Sequence, residues 1–224
     1  LIDKLKAEFA TLGWYVSGHP VDALAPWLSE IISCRLGDVL GKVPRERKMR
    51  GNELNLTLAG QVGPVRKRGD NIAFVQLQDA SGRLETAFFT EAYAEFGGLI
   101  QAGEIIVVEG VASWDDFNGG PQLRVRRAWP LADACQHHAR GLTLKVRNPA
   151  PDFAADLKRT LAPWRGGGIS VRLRYQRGNA SVELEFADHW RLRADPALPG
   201  LLLKIPGVES AELLFRRQFS ESAA

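Results

Sequence analysis

The sequence predicts a mixed β and α+β protein: a short helical N-terminal segment, a five-stranded barrel, and a small α+β unit. Three observations point to this order. Ile2, Leu5, Phe9 and Leu12 fall near one helical face at the start of the chain. From Leu54 the apolar period changes to two, broken once by a helical stretch. After Pro130, short helical and alternating stretches mix again. The expected boundaries are 1–50 for the helical segment and linker, 51–131 for the barrel, and 132–224 for the α+β unit.

Each element has a local reason. "GWYVSGHP" (13–20) breaks the first helix; Gly18 suits a positive φ and Pro20 a helix start. "VDALAPWLSEI" (21–31) reads as a short helix, and polar "GKVPRERKMRGNE" (41–53) as a linker. Strands follow at 54–69, 71–79 and 83–89, with "ASG" as the turn between the last two. "TEAYAEFGGLI" (90–100) opens on Thr90 as an N-cap, with Tyr93 and Phe96 at helical spacing. Strands at 104–116 and 121–131 flank the turn "FNGG". Three strands, a helix and two strands is the order of an OB-fold, a five-stranded, partly open barrel.

The remaining chain reads as a helix at 132–140, a strand at 141–148 and a helix at 151–164, the latter stopped by "GGG" (166–168). A hairpin of strands at 169–176 and 180–187 turns at "RGN". "WRLRAD" reads as a third strand, "PALPGLLLKIPG" as a short helix and "VESAELLF" (208–215) as the last strand.

Bulk numbers set limits. The net charge of +3 is a weak pointer to nucleic acid. Residues 51–130 carry 7 basic and 10 acidic side chains, so any basic face on the barrel is local. No apolar run approaches the ~20 residues of a membrane span, so no membrane partner is expected. The charged amphipathic start argues against a signal peptide, and the missing Met suggests a piece of a longer chain. Two cysteines, Cys34 and Cys135, fit a reduced, cytoplasmic protein.

In OB-folds, single strands of nucleic acid cross strands 2 and 3, clamped by the loops between strands 1–2 and 4–5. That places Phe74 and Gln76 on a binding face beside Arg83 and Phe89, where an exposed ring stacks on a base. Arg66, Lys67 and Arg68 in the first clamp loop, and Arg124 and Arg126 on one face of strand 5, face phosphates. Trp114 and Phe117 flank the second clamp loop, where Asp115 and Asp116 are read as turn residues. "FVQLQD" (74–79) also resembles the F-x-x-L-x-D of anticodon-binding OB domains, in which the Phe stacks on a base. The competing reading buries Phe74 under a neighbouring protein surface and leaves the arginines solvated.

His19 in "SGHP" is read as a turn residue bonded to backbone. "CQHH" (135–138) offers three metal-ligand types but no fourth partner at zinc spacing, so it is read as helix surface. No metal or cofactor is expected.

"LGWYVSGHPVDAL" (12–24) resembles the LGxYxSGHPL segment of the alpha subunit of bacterial DNA polymerase III, the C-family replicative polymerase. "LAGQVGPVRKRGDNIAFVQLQDASGRLETAFFTEAY" (58–93) and "VVEGVASWDDFNGGPQLRVR" (107–126) resemble that family's OB domain. "ARGLTLKV" (139–146) and "ISVRLRYQRGNASVELEF" (169–186) resemble its C-terminal domain. The resemblance runs along essentially the whole chain. It implies a non-catalytic portion of a DNA-directed DNA polymerase: the carboxylate triad and His-rich cluster of that family belong to upstream domains. It also implies that the barrel holds single-stranded template and that the last domain docks the tau subunit of the clamp loader, joining the polymerase to the replisome.

For docking, the tail "FRRQFSESAA" (215–224) offers Arg216, Arg217 and Phe219. "SAELLF" (210–215) resembles the sliding-clamp hexapeptide through Leu213 and Phe215, although Ser210 stands where Gln is expected. The preferred reading is an edge strand with Leu213 and Phe215 facing the core. A rival for the whole chain is a protein-interaction scaffold whose OB face packs on another polymerase domain. An aminoacyl-tRNA synthetase with an anticodon OB-fold is disfavoured, because no catalytic domain is present.

Overall fold

The computed structural model describes residues 18–23, 25–44 and 54–216, together with helical Glu8 and Thr11. The expected helix over 1–12 otherwise lies outside the described residues, as do 45–53 of the expected linker, Arg217 and Phe219. The chain divides into two compact units, one holding the described residues through Leu131 and the other those from Ala132 onward. No helix among the described residues is long and apolar enough to cross a membrane.

The first unit is a closed barrel in the order β1-β2-β3-β5-β4. Its strands are β1 (Leu54–Arg68), β2 (Ile72–Gln78), β3 (Arg83–Phe88), β4 (Ile105–Asp115) and β5 (Gly120–Pro130). Helix α1 (Thr90–Phe96) follows β3. Neighbours are antiparallel except β3 and β5, which pair in parallel. β1 is long enough to serve two partners: Leu54–Gln61 pair with β4, and Gln61–Arg68 with β2. Its register shifts between Val62 and Val65, where Gly63 and Pro64 interrupt the ladder; proline has no N–H to give.

The period of two puts Ala73, Val75 and Leu77 inside the barrel, fully buried with Leu58, Phe88 and Leu123. α1 is shorter than expected and is not capped by Thr90. Phe89, still extended at φ −82°, ψ 172°, holds the cap position without a side-chain bond. Its carbonyl accepts from the Tyr93 N–H at 2.8 Å.

Residues before the barrel do more than link. Pro20–Ala23 and Ala25–Leu28 form single helical turns, with Gly18 at φ 129° and His19 Nδ1 accepting from the Val21 N–H at 3.3 Å. A 3-10 turn, Leu36–Asp38, then leads into Val39–Lys42. Leu36, Val39 and Val43 are buried in the barrel core. The Leu36 N–H donates to the Asp79 carboxylate at 3.1 Å and the Gly37 N–H to Ser81 Oγ at 2.9 Å, pinning this segment to the β2–β3 turn. Val43, expected in the linker, thus packs into the barrel core, while Lys42 ends the preceding helical turn exposed.

The second unit is a four-stranded sheet in the order β8-β7-β6-β9. It opens with α2 (Leu131–His138) and β6 (Ala139–Arg147), then α3 (Phe153–Leu161) and β7 (Arg165–Arg177). β8 (Ala180–Glu185), α4 (Leu198–Leu202) and β9 (Val208–Phe215) complete it. β6 and β7 are parallel, joined through α3, whose Phe153, Leu157 and Leu161 recur every four residues and are buried.

Two expectations fail in this unit. "GGG" does not stop the helix: α3 ends at Leu161, a 3-10 turn with Pro163 follows, and the glycines lie within β7. "WRLRAD" is not a strand. Asp188–Trp190 form a 3-10 turn, and only Leu192 makes isolated bridges, to Arg165 and Ile169. The two misreadings share a cause. The 191–193 segment crosses β7 so closely that a Cβ on Gly167 would lie 2.0 Å from the Leu192 carbonyl oxygen. Gly167→Ala is therefore expected to cost about 1–3 kcal/mol in chemical denaturation. Gly168→Ala, with open space around it, should stay within about 0.5 kcal/mol of wild type.

Cys135 is fully buried on α2. Burial, helped by the Asp195 carboxylate, pushes its thiol up to about 12. The unfolded thiol titrates near about 8.5. Above that pH the unfolded chain loses a proton that the folded chain keeps, so stability falls as pH rises from about 8.5 toward 12. The slope is at most about 1.4 kcal/mol per pH unit for this group. Urea midpoints between pH 8 and 10.5 should drop more steeply for wild type than for Cys135→Ala.

Candidate nucleic-acid interface

Residues directly opposite on neighbouring strands share a face, so register decides what Phe74 meets. Phe74 lies opposite Arg66 on β1 and Ala87 on β3, and Ala87 lies opposite Arg124 on β5. The next row carries Gln76, Glu85 and Gln122. Phe74 is half-buried, and the Arg66 guanidinium sits 5.4 Å from its ring centroid. Arg124 sits 5.6 Å from the ring of Phe89, which is 39% exposed. Two Arg–aromatic pairs therefore share the outer face, with the small, buried Ala87 between their strands.

Glu85 occupies the centre of this face. It pairs with Arg66 and accepts from Asn118 Nδ2 at 2.9 Å and from Gln122 Nε2 at 2.7 Å. A phosphate arriving here competes with Glu85 for Arg66. Sequence reasoning missed it, although alternation in "RLETAFF" puts Arg83, Glu85, Ala87 and Phe89 on one face.

The structure gathers Arg66, Phe74, Gln76, Phe89 and Arg124 and disperses the other expected residues. Arg66, Lys67 and Arg68 are not in a clamp loop; they end β1, paired with Phe74, Ala73 and Ile72. Lys67 turns to α1, its Nζ 5.9 Å from the Tyr93 ring centroid, while Arg68 is exposed at the strand end. Arg83 is not beside Phe74: it lies opposite Gln78, four residues along. Trp114 packs against the barrel core, because its parity follows buried Ala112. Phe117 is 94% exposed in the β4–β5 turn. Asp115 shapes that turn, its carboxylate accepting from the Phe117 N–H at 3.0 Å and Asn118 Nδ2 at 2.6 Å. Arg126 sits at a register shift in the β4–β5 ladder and reaches Asn55 Oδ1 at 3.4 Å. It lines a groove of about 400 Å³ with Asn55, Glu109 and Arg127, apart from the Arg124–Phe89 pair.

In the second unit, β9 is an edge strand in which Leu213 and Phe215 are half-buried, opposite Leu142 and Ala139. Arg216 is exposed, and its N–H donates to the His138 carbonyl at 3.1 Å. In "CQHH", Cys135 and His138 are buried while His137 is exposed.

Residues 56–131 match a family model described as an OB-fold nucleic acid binding domain. Residues 156–198 match one described as the DNA polymerase III subunit alpha, C-terminal domain. The chain is 34% identical over 223 residues to the DNA polymerase III subunit alpha of Xylella fastidiosa (strain Temecula1), covering 94% of this chain and 19% of that protein. Its Vibrio cholerae counterpart is 34% identical over 218 residues, covering 95% and 18%. The counterpart in Escherichia coli K12 is 34% identical over 214 residues, covering 94% and 18%. The chain thus spans about a fifth of the length of these relatives. With a closed five-stranded barrel where the first model matches, and α3, β7 and β8 where the second does, the chain belongs to the DNA polymerase III alpha-subunit family, as a part of that subunit.

Proposed function

We propose that the outer face of the barrel holds single-stranded template DNA for a replicative polymerase, and that the second unit docks the tau subunit of the clamp loader. The observation that carries the DNA reading is the pair of Arg–aromatic contacts, Arg66 over Phe74 and Arg124 over Phe89, on one outer face. Each ring offers a surface that any base can stack on, and each guanidinium lies beside it for the phosphate that follows. Gln76 and Gln122 add amide groups in the row beside Phe74. Catalysis belongs, in this reading, to portions of the polymerase outside this chain.

Glu85 supplies the test. Titrating a fluorescently labelled dT oligonucleotide at 50 and 200 mM salt should show binding that weakens with salt. Glu85→Gln keeps an acceptor for the amides but frees Arg66 and removes a like charge from the phosphate path. Removing one such charge at about 4 Å in water is worth about 1 kcal/mol, so the variant should bind about fivefold tighter. Absence of wild-type binding at both salts would sink the reading. For the second unit, retention on immobilised tau should be lost when residues 216–224 are deleted. Undiminished retention would exclude the tail as the main contact.

The position of Glu85 favours a second reading, in which the face packs against another polymerase domain through this carboxylate. The oligonucleotide titration is then flat at both salts.

A further inference from the structure

The two edges of the second sheet are not alike. β9 is bent by register shifts at Ala139/Gly141 and Lys145/Val146. β8 runs against β7 with no shift, contains no proline or lysine, and is exposed at all six positions. Among the described residues no strand pairs with its outer edge, which turns alternate backbone N–H and C=O groups outward; it has no bulge and no proline, and of the devices that blunt an edge strand it carries only the charges of Glu183 and Glu185.

The side chains of β8 specify what fits there. On the sheet's core face, Val182 and Leu184 lie opposite Tyr175 and Leu173 yet remain 48% and 47% exposed. An apolar groove of about 500 Å³ on this face is lined by Phe153 and Leu157 of α3, Tyr175 of β7, and Phe186 and Trp190 from the segment that follows β8. On the other face the cations lie on the inner strands and the carboxylates on β8. Lys145 stands opposite Arg174 and Arg174 opposite Glu183, paired at 3.3 Å; Arg172 stands opposite Glu185, paired at 3.9 Å. The outermost row is therefore acidic, and the next strand in the series meets Glu183 and Glu185.

We propose that the free edge of β8 is a docking site for an extended segment of a partner protein, added as a fifth strand, in which apolar residues alternate with lysine or arginine. Its apolar side chains continue the floor formed by Val182 and Leu184, its basic ones face Glu183 and Glu185, and its backbone completes the ladder. A second copy of β8 is a poor occupant: in the antiparallel register centred on Leu184, Glu183 and Glu185 of one copy face Glu185 and Glu183 of the other. The site is distinct from the tail 216–224, so its failure and that of the tau reading are separately visible.

The test uses the full chain and three labelled octapeptides: alternating valine and lysine, alternating valine and glutamate, and a block of four valines followed by four lysines. Fluorescence anisotropy should show the valine–lysine alternation binding best. Glu183→Gln/Glu185→Gln should weaken that peptide about five- to tenfold and remove the preference over the glutamate peptide. Hydrogen exchange with the peptide bound should slow amides of β8 while leaving β9 unchanged. Equal binding of the block peptide, unaltered exchange in β8, or binding indifferent to the double variant would overturn the proposal. So would a dimer of the chain that the peptide disperses, which would give the edge to a second copy.

Discussion

Phe88→Ala is expected to remove about 3–5 kcal/mol from the stability of the barrel, a large share of the 5–15 kcal/mol typical of a domain. Phe88 is fully buried at the end of β3, in the same core cluster as Leu58 of β1, Val75 of β2 and Ile106 of β4. A closed barrel cannot slide its strands together to fill the space, because β1 is already paired on both sides by β2 and β4. The transfer term and the residual cavity therefore both count. Urea unfolding followed by tryptophan fluorescence, to which half-buried Trp114 and Trp129 contribute from the barrel, should show a lower midpoint with an unchanged slope. Phe117→Ala is the control: at 94% exposed it should stay within about 0.5 kcal/mol of wild type. An unchanged Phe88→Ala midpoint would contradict the packing described.

Phe74→Ala is expected to weaken oligo-dT binding by about 1–3 kcal/mol, roughly five- to 150-fold, without a comparable loss of stability. Phe74 is only half-buried, and its inward neighbours Ala73 and Val75 carry the core on that strand. Losing the ring also removes the surface on which the Arg66 guanidinium rests, 5.4 Å from its centroid. Phe74→Ala and Arg66→Ala should therefore be non-additive, their combined loss smaller than the sum of the two. Phe74→Leu, which keeps apolar bulk but no π-face, should resemble Phe74→Ala. Binding unaffected by either substitution would remove stacking from the account.

Much of the barrel was legible because period two sorts residues to faces without reference to the partner strand. Ala73, Val75 and Leu77 inside and Phe74 outside follow from seven residues alone. What alternation does not supply is register. Placing Phe74 beside Arg83 rather than Ala87 is an error of four pairs along the β2–β3 ladder, and it hid Glu85 behind Gln76. Long strands also concealed themselves. The basic "RKR" looked like loop, but β1 continues through Arg68 after its interruption at Val62–Val65. The plug of Leu36, Val39 and Val43 carries i, i+3, i+7 spacing, a signal present but short, and split between a 3-10 and an α turn. In the second unit, Gly167 read as a helix stop because its reason lies 25 residues away, at the Leu192 carbonyl.

The central claim is that the Phe74–Phe89 face, and no other surface of the chain, takes single-stranded DNA. The most direct measurement follows the backbone amide resonances of the isotopically labelled chain during titration with oligo-dT. Shifts should concentrate at Arg66, Phe74, Gln76, Glu85, Phe89 and Arg124, leaving the Asn55–Arg126 groove and the β6–β9 sheet unmoved. Shifts confined to that groove or that sheet, or none at a saturating oligonucleotide concentration, would contradict it.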